Sequence, residues 1–392
     1  MQRDYESLRR TTILWVIGWS AIGCFLSAPS MLAAGLESSE WKTEIARGRI
    51  AMEAMIAAGE TPGASVAVAV DGEIVWSQGF GYADVDQGIP ASAETRFGIG
   101  SISKTLTMAA VMSLVDEGLL DLDAPVETYL ADFPHVGKGI TLRRISAHQS
   151  GLSDQFATDH YQTQDHFPTI DSAYQEIKNE SLEYEPGSRT VYATGLYTII
   201  GRVVEAVTGQ SYLEVMRERV FLPLEMDGVV PNDPTRDIGA RTRFYVEGEE
   251  AGSFELGPPY DPSHKLPGAG LLSRAEDLAR FGAGLLEGEL LSATSRDEMF
   301  TPVPLANGEP TQFGLGLRIG EFDGTPLIHL PGGGIGISSW LFMLPDRDLV
   351  VAVLGNVATA PVGGEAADEI IEAFSPARRK VQDVLHPVDT GG

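Results

Sequence analysis

Phe97-Gly98-Ile99-Gly100-Ser101-Ile102-Ser103-Lys104-Thr105-Leu106-Thr107 is the stretch from which the rest of the chain can be read. Two glycines approach a serine, and a helical pattern runs from Ser103 to Glu117 before Gly118 stops it. Positions i and i+3 share a helix face, so the Lys104 amine can reach the Ser101 hydroxyl. Serine is a poor nucleophile until a base takes its proton, and a lysine whose pKa is lowered can be that base. A helix N-terminus also aims backbone N–H groups at a developing oxyanion. Spacing alone is weak: Ser39-Glu40-Trp41-Lys42 has the same Ser-x-x-Lys form without the glycine approach. An N-cap serine followed by an exposed lysine would also fit the pattern.

The chain around this segment has 392 residues, 43% of them hydrophobic and 21% charged, the composition of a globular protein. Its net charge of −27 repels polyphosphate and an anionic membrane surface, so nucleic acid is not an expected partner. The single cysteine, Cys24, excludes an internal disulfide or a cysteine-based zinc site. Seven scattered histidines, with His160 and His166 too far apart for one helical face, give no metal site. There is no phosphate loop and no Gly-x-Ser-x-Gly elbow.

Residues 1–36 read separately. Arg3, Arg9 and Arg10 precede a charge-free run from Thr11 to Leu36. That is the layout of a signal peptide cleaved near Ala33-Ala34-Gly35, of a lipobox ending at Cys24, or of a retained membrane anchor. All three readings place residues 37–392 outside the cytoplasm, periplasmic or secreted.

Beyond the anchor, Trp41 to Gly59 is predicted helical. Ala64 to Val70, the turn Asp71-Gly72 and Ile74 to Trp76 form a hairpin. Residues 140–300 alternate helical patterns with loops and carry little strand signal. Tyr197 to Val207 ends at Gly209, and Ser273 with Glu276 forms a capping box for the next helix. Strands return at Trp340 to Leu344 and Leu349 to Leu354, and Glu365 to Phe374 closes the chain as a helix. The expected architecture is an α/β fold of the α+β type: one antiparallel sheet built from both ends of residues 37–392, flanked by helices, with a mostly helical insertion at about 140–300.

The Ser101 segment resembles the active-site segment of the serine β-lactamase and penicillin-binding-protein superfamily. The likeness is strongest to its class C-like branch, which includes D-alanyl-D-alanine carboxypeptidases, family VIII esterases and mitochondrial serine β-lactamase-like proteins. Gly118 to Val126, Ile140 to Arg144, and His148-Gln149-Ser150-Gly151-Leu152 look like that branch's landmarks in the same order. So do Glu185-Pro186-Gly187-Ser188 with Tyr192-Ala193-Thr194, then Arg241 to Tyr245 and Gly268 to Ser273.

The resemblance makes Tyr192 the counterpart of the catalytic tyrosine, sharing proton transfer with Lys104. Thr194 stands where the family usually has asparagine, beside the lysine or substrate. The third family motif, a basic residue followed by a small residue and glycine on an edge strand, falls on His329-Leu330-Pro331-Gly332-Gly333-Gly334. His329 is the natural basic residue, yet counting back from Gly336 puts Leu330 there. Pro331 has no N–H, so Gly332 or Gly333 is the oxyanion donor alongside Ser101.

The implied function is a serine hydrolase forming an acyl-enzyme on an ester, a D-alanine-ended peptide or a β-lactam, with no metal or organic cofactor. The altered second and third motifs argue against an efficient β-lactamase. The alternatives are a non-catalytic scaffold or muropeptide-binding protein of the same fold, and a structural surface protein. Partners are a small-molecule or peptide substrate and, through the N-terminus, a membrane; the oligomeric state is not encoded in any motif.

Overall fold

The apolar runs at the two ends of residues 37–392 are buried in a single seven-stranded sheet. The computed structural model describes residues 35–250 and 252–375. The leader or anchor reading of residues 1–36 therefore lies outside the described residues up to position 34.

β1 (Gly63–Val70) and β2 (Glu73–Asp84) form a hairpin closed by Asp71 and Gly72 at φ of 50° and 80°. Both central residues are left-handed, the geometry a tight two-residue hairpin needs. After the short β3 (Ile89–Pro90) the chain leaves the sheet and returns much later as β4 (Arg318–Phe322), β5 (Thr325–Gly334), β6 (Ile337–Leu344) and β7 (Leu349–Gly355). The strand order is β3-β2-β1-β7-β6-β5-β4, and every neighbouring pair is antiparallel. The two chain ends meet where β1 pairs with β7, Ala64 opposite Gly355 through Val70 opposite Leu349.

Period-two alternation divides the sheet's residues between two layers. Val66, Val68, Phe342, Val351 and Val353 pack with α1 (Lys42–Ala57) and α5 (Glu365–Phe374). Ala67, Ala69, Ile328, Leu341, Met343, Ala352 and Leu354 pack with α2 (Ile102–Asp116), α3 (Tyr197–Thr208) and α4 (Ala275–Glu287). α2 is buried continuously from Ile102 to Met112, as expected for a helix enclosed by neighbours. Its lysine is thus carried into the interior by the helix itself.

Two local expectations change. The stretch 140–300 is mostly helical but holds short strands at Val230–Pro231, Tyr245–Glu247, Phe254–Leu256 and Leu271–Ser273. Each is too short to show an alternating pattern. The N-cap of α4 is Arg274, whose backbone N–H donates to Asp277 Oδ2 at 3.1 Å and whose guanidinium pairs with the same carboxylate, so the expected Ser273–Glu276 capping box does not form. Ser273 is held in strand pairing opposite Phe97 and is not free to cap.

Candidate active site

The Ser101 segment is pinned from both sides before α2 begins. Gly98 pairs with Leu272, Ile99 N–H donates to Leu271 O, and Ser339 Oγ donates to Ile99 O. Gly100 then adopts φ +47°, a left-handed turn that brings Ser101 to the helix N-terminus.

Lys104, wholly buried, has its ammonium donating to three acceptors: Ser101 Oγ at 3.1 Å, Thr194 Oγ1 at 3.1 Å and Gly268 O at 2.9 Å. It also lies 4.9 Å from the ring centroid of Tyr192 and 5.4 Å from that of Tyr197. Burial pushes its pKa down, against an opposing contribution from Tyr192 and Asp154. Of the three acceptors, only the Gly268 carbonyl cannot reverse its role. A neutral amine retains donors for Gly268 and Thr194 and turns its lone pair to the Ser101 hydroxyl.

Tyr192 is about two-fifths exposed and packs tilted against His148, ring centroids 4.2 Å apart and planes at 36°. His148 is buried, with Nδ1 accepting from Ala193 N–H at 3.2 Å. Burial and the nearby Lys104 and Arg318 cations hold its pKa well below the ordinary value, so the ring is neutral with its proton on Nε2. Thr194 is fixed through its backbone: Asp154 Oδ2 accepts from Thr194 N–H at 2.6 Å and Oδ1 accepts from Gly195 N–H at 2.9 Å. Burial raises the Asp154 pKa in spite of those two donors.

Ser101, Asp154 and Thr194 face a cleft of about 410 Å³ whose other walls include Tyr161, Tyr260, Lys265, Gly333 and Ile337. The geometry distinguishes the two glycines considered as oxyanion donors. A Cβ on Gly332 would lie 2.0 Å from Ile99 O, so this residue faces the protein interior. Gly333 lines the cleft, and a Cβ there would meet nothing within 4 Å.

His329 stands apart from these groups. It sits opposite Phe342, and its ring stacks on Trp340 with centroids 5.6 Å apart and planes at 5°. That is the face of the sheet covered by α1 and α5. Leu330, opposite Leu341, points to the face covered by α2 and is buried. Burial and the Arg318 cation lower the His329 pKa to about 4. Ser39 and Lys42 are exposed at the start of α1 and do not line the cleft.

His166 pairs with Asp261 at 2.7 Å, while His160 stacks on Phe156. Among the described residues no group of three or more His, Cys, Asp or Glu is arranged to hold a metal ion. Also among them, no helix is long and apolar enough to cross a membrane.

His148, Asp154 and Lys265 were not singled out individually from sequence. His148 sits inside a landmark of the family resemblance, but Asp154 and Lys265 have no local motif, because their partners come from distant segments.

The Beta-lactamase family matches residues 50–374. The chain belongs to this family. It is 26% identical to the human serine beta-lactamase-like protein LACTB, mitochondrial, over 79% of this chain and 76% of the human protein. It is 26% identical to penicillin-binding protein 4* of Bacillus subtilis (strain 168), over 74% of this chain and 67% of that protein. The octameric penicillin-binding protein homologue from Pyrococcus abyssi superposes with a TM-score of 0.70 at 27% identity, covering 84% of this chain and 76% of that one. The fold class and the superfamily resemblance read from the motifs agree with these similarities.

Proposed function

We propose that this protein is a serine hydrolase that works through an acyl-enzyme at Ser101. The observation that carries the reading is the buried Lys104 ammonium 3.1 Å from Ser101 Oγ, with its other donors already engaged by Thr194 and Gly268. Desolvation favours the neutral amine, which accepts the serine proton as Oγ attacks a carbonyl. The Ser101 and Gly333 N–H groups receive the oxyanion. Tyr192, at the mouth of the site and beside the Lys104 amine, passes the proton to the leaving group. Water then enters by the same route in reverse and releases the acyl group.

Membership of the Beta-lactamase family, with a penicillin-binding protein of Bacillus subtilis and a D-aminopeptidase of Gluconobacter oxydans among its relatives, supports a peptide-like amide or a related ester as the scissile bond. A fluorophosphonate probe tests the enzyme reading directly. A single labelled serine, lost in Ser101→Ala, is the expected result; an unlabelled wild type favours the non-catalytic scaffold. Turnover of p-nitrophenyl esters, D-Ala-D-Ala peptides and nitrocefin by wild type, against Ser101→Ala, then separates the three bond types. Export is inferred from the charge-free run in residues 11–36; N-terminal sequencing of the mature protein after expression in a bacterial host distinguishes cleavage from retention.

A further inference from the structure

Lys265 is more than nine-tenths buried, yet among the described residues its ammonium has no carboxylate partner and no hydrogen-bond acceptor. Its ammonium lies over the face of Tyr161, 4.7 Å from the ring centroid. Two other lysines do find acceptors: Lys104 donates three hydrogen bonds and Lys178 pairs with Asp132 at 2.6 Å. The stem is buried while the ammonium opens to the cleft, so an anion in the cleft is the partner this partly desolvated charge lacks. Lys265 lines the same cleft as Ser101.

The wall it occupies matters. Lys265 comes from the helical side, beside Asp154, Tyr161 and Tyr260, and faces the strand side formed by Gly333, Ile335 and Ile337. Among the described residues that line the strand side there is no cation: Leu330 is turned into the core, His329 stacks on Trp340, and Arg318 lies over Phe313.

We propose that Lys265 is a specificity-determining residue that binds a carboxylate carried by the substrate, and that the cleft takes mono-anionic carbonyl compounds with an apolar group against Tyr161 and Tyr260. The inference rests on the hydrolase reading above for turnover but not for binding. Charged and titratable groups facing Lys265 are Lys104, Asp154, His264, Tyr161 and Tyr260. His264 is held neutral, its pKa pushed by burial to about 3. Burial and then Lys104 lower the Lys265 pKa to about 8, with Asp154 opposing. The cation is thus present at neutral pH and lost on the alkaline side.

The test compares mono-4-nitrophenyl glutarate with its neutral methyl ester, and 4-acetoxybenzoate with its methyl ester. The first pair places the carboxylate on the acyl part and the second on the leaving group. Wild type prefers one anionic ester over its neutral partner, and that kcat/KM ratio falls at least tenfold in Lys265→Met and Lys265→Gln, mainly through KM. In wild type the ratio also falls as pH rises through about 8. Effects on Ser101, Lys104 and Tyr192 are common to both esters and cancel in the ratio. A ratio that stays flat with pH and unchanged in a folded Lys265 variant overturns the proposal. Calorimetry on Ser101→Ala separates this failure from failure of the hydrolase reading, since it needs no turnover. Binding of either anionic ester, tenfold weaker in Ser101→Ala/Lys265→Met, upholds Lys265 even if wild type hydrolyses neither; equal binding by both proteins rejects it.

Discussion

Gly100 and Gly333 meet backbone to backbone beside Ser101: a Cβ on Gly100 would lie 2.7 Å from Gly333 N and 2.8 Å from Gly333 O. The turn into α2 and the glycine strand are therefore fitted to one another. Any movement of either displaces the two N–H groups assigned to the oxyanion. Gly100 also stands at φ +47°, where an L side chain adds strain.

Gly100→Ala is expected to push the turn before α2 away from the glycine strand and misplace an oxyanion donor. Loss of one such donor costs about 10²–10³ in kcat. The expected result is a fall of that order in ester turnover, with fluorophosphonate labelling slowed in parallel. Normal kinetics in Gly100→Ala would remove Gly333 from the oxyanion assignment.

Lys104→Arg tests the base. Arginine keeps the charge but does not give up its proton near neutral pH, so acylation should fall at least ~100-fold. The wild-type acylation rate should rise with pH as Lys104 loses its proton, at a pKa below the ordinary 10.5. Stability follows the same sign. Between the lowered folded value and 10.5 the unfolded chain binds more protons, so unfolding free energy increases with pH across that window. Lys104→Met should abolish both the rate limb and this slope, read from pH–rate profiles and urea melts.

The Ser101–Lys104 pair was legible because its relationship is local: three positions along one helix place the two side chains on one face. The sheet was legible for a similar reason, since β1, β2, β6 and β7 carry short apolar runs, β-branched or aromatic, joined by turn residues adjacent in sequence. Asp154 and Lys265 were not, because what defines them is a backbone N–H or a cavity wall supplied by remote segments. The third motif failed as a guide for another reason. Strand parity decides whether position 329 or 330 faces Ser101, and Pro331-Gly332-Gly333-Gly334 has no alternating side chains from which to read it. The short strands of the insertion escaped because two or three residues cannot display a period of two.

Tyr192→Phe keeps the ring on His148 and removes only the hydroxyl. Melting temperature should stay near wild type, because the ring contact at 4.2 Å is retained. Turnover of substrates with poor leaving groups, such as peptides, should fall by about 10²-fold, the low end for general acid–base catalysis. Activated nitrophenyl esters should lose much less, because their leaving group needs no proton. An equal loss on both substrate types would assign Tyr192 to deprotonating Ser101 instead.

His329→Ala separates the two candidate positions of the third motif. The imidazole is stacked on Trp340, on the face of the sheet opposite Leu330, Leu341 and α2. Removing it should leave kcat/KM within about twofold of wild type, since no transition-state interaction is lost. It should lower stability by about 1 kcal/mol through the lost aromatic contact. The pH dependence has a definite sign. His329 has a folded pKa of about 4 against an ordinary 6.5, so between those values the unfolded chain binds more protons. Wild-type stability is therefore full above about 6.5 and declines toward 4, and His329→Phe should flatten that part of the melting curve against pH. Leu330→Lys would bury a cation on the α2 side and should destabilise the fold unless the cleft hydrates it. A tenfold loss of kcat/KM in His329→Ala, with melting temperature unchanged, would return the histidine to the reaction and overturn the strand parity argued here.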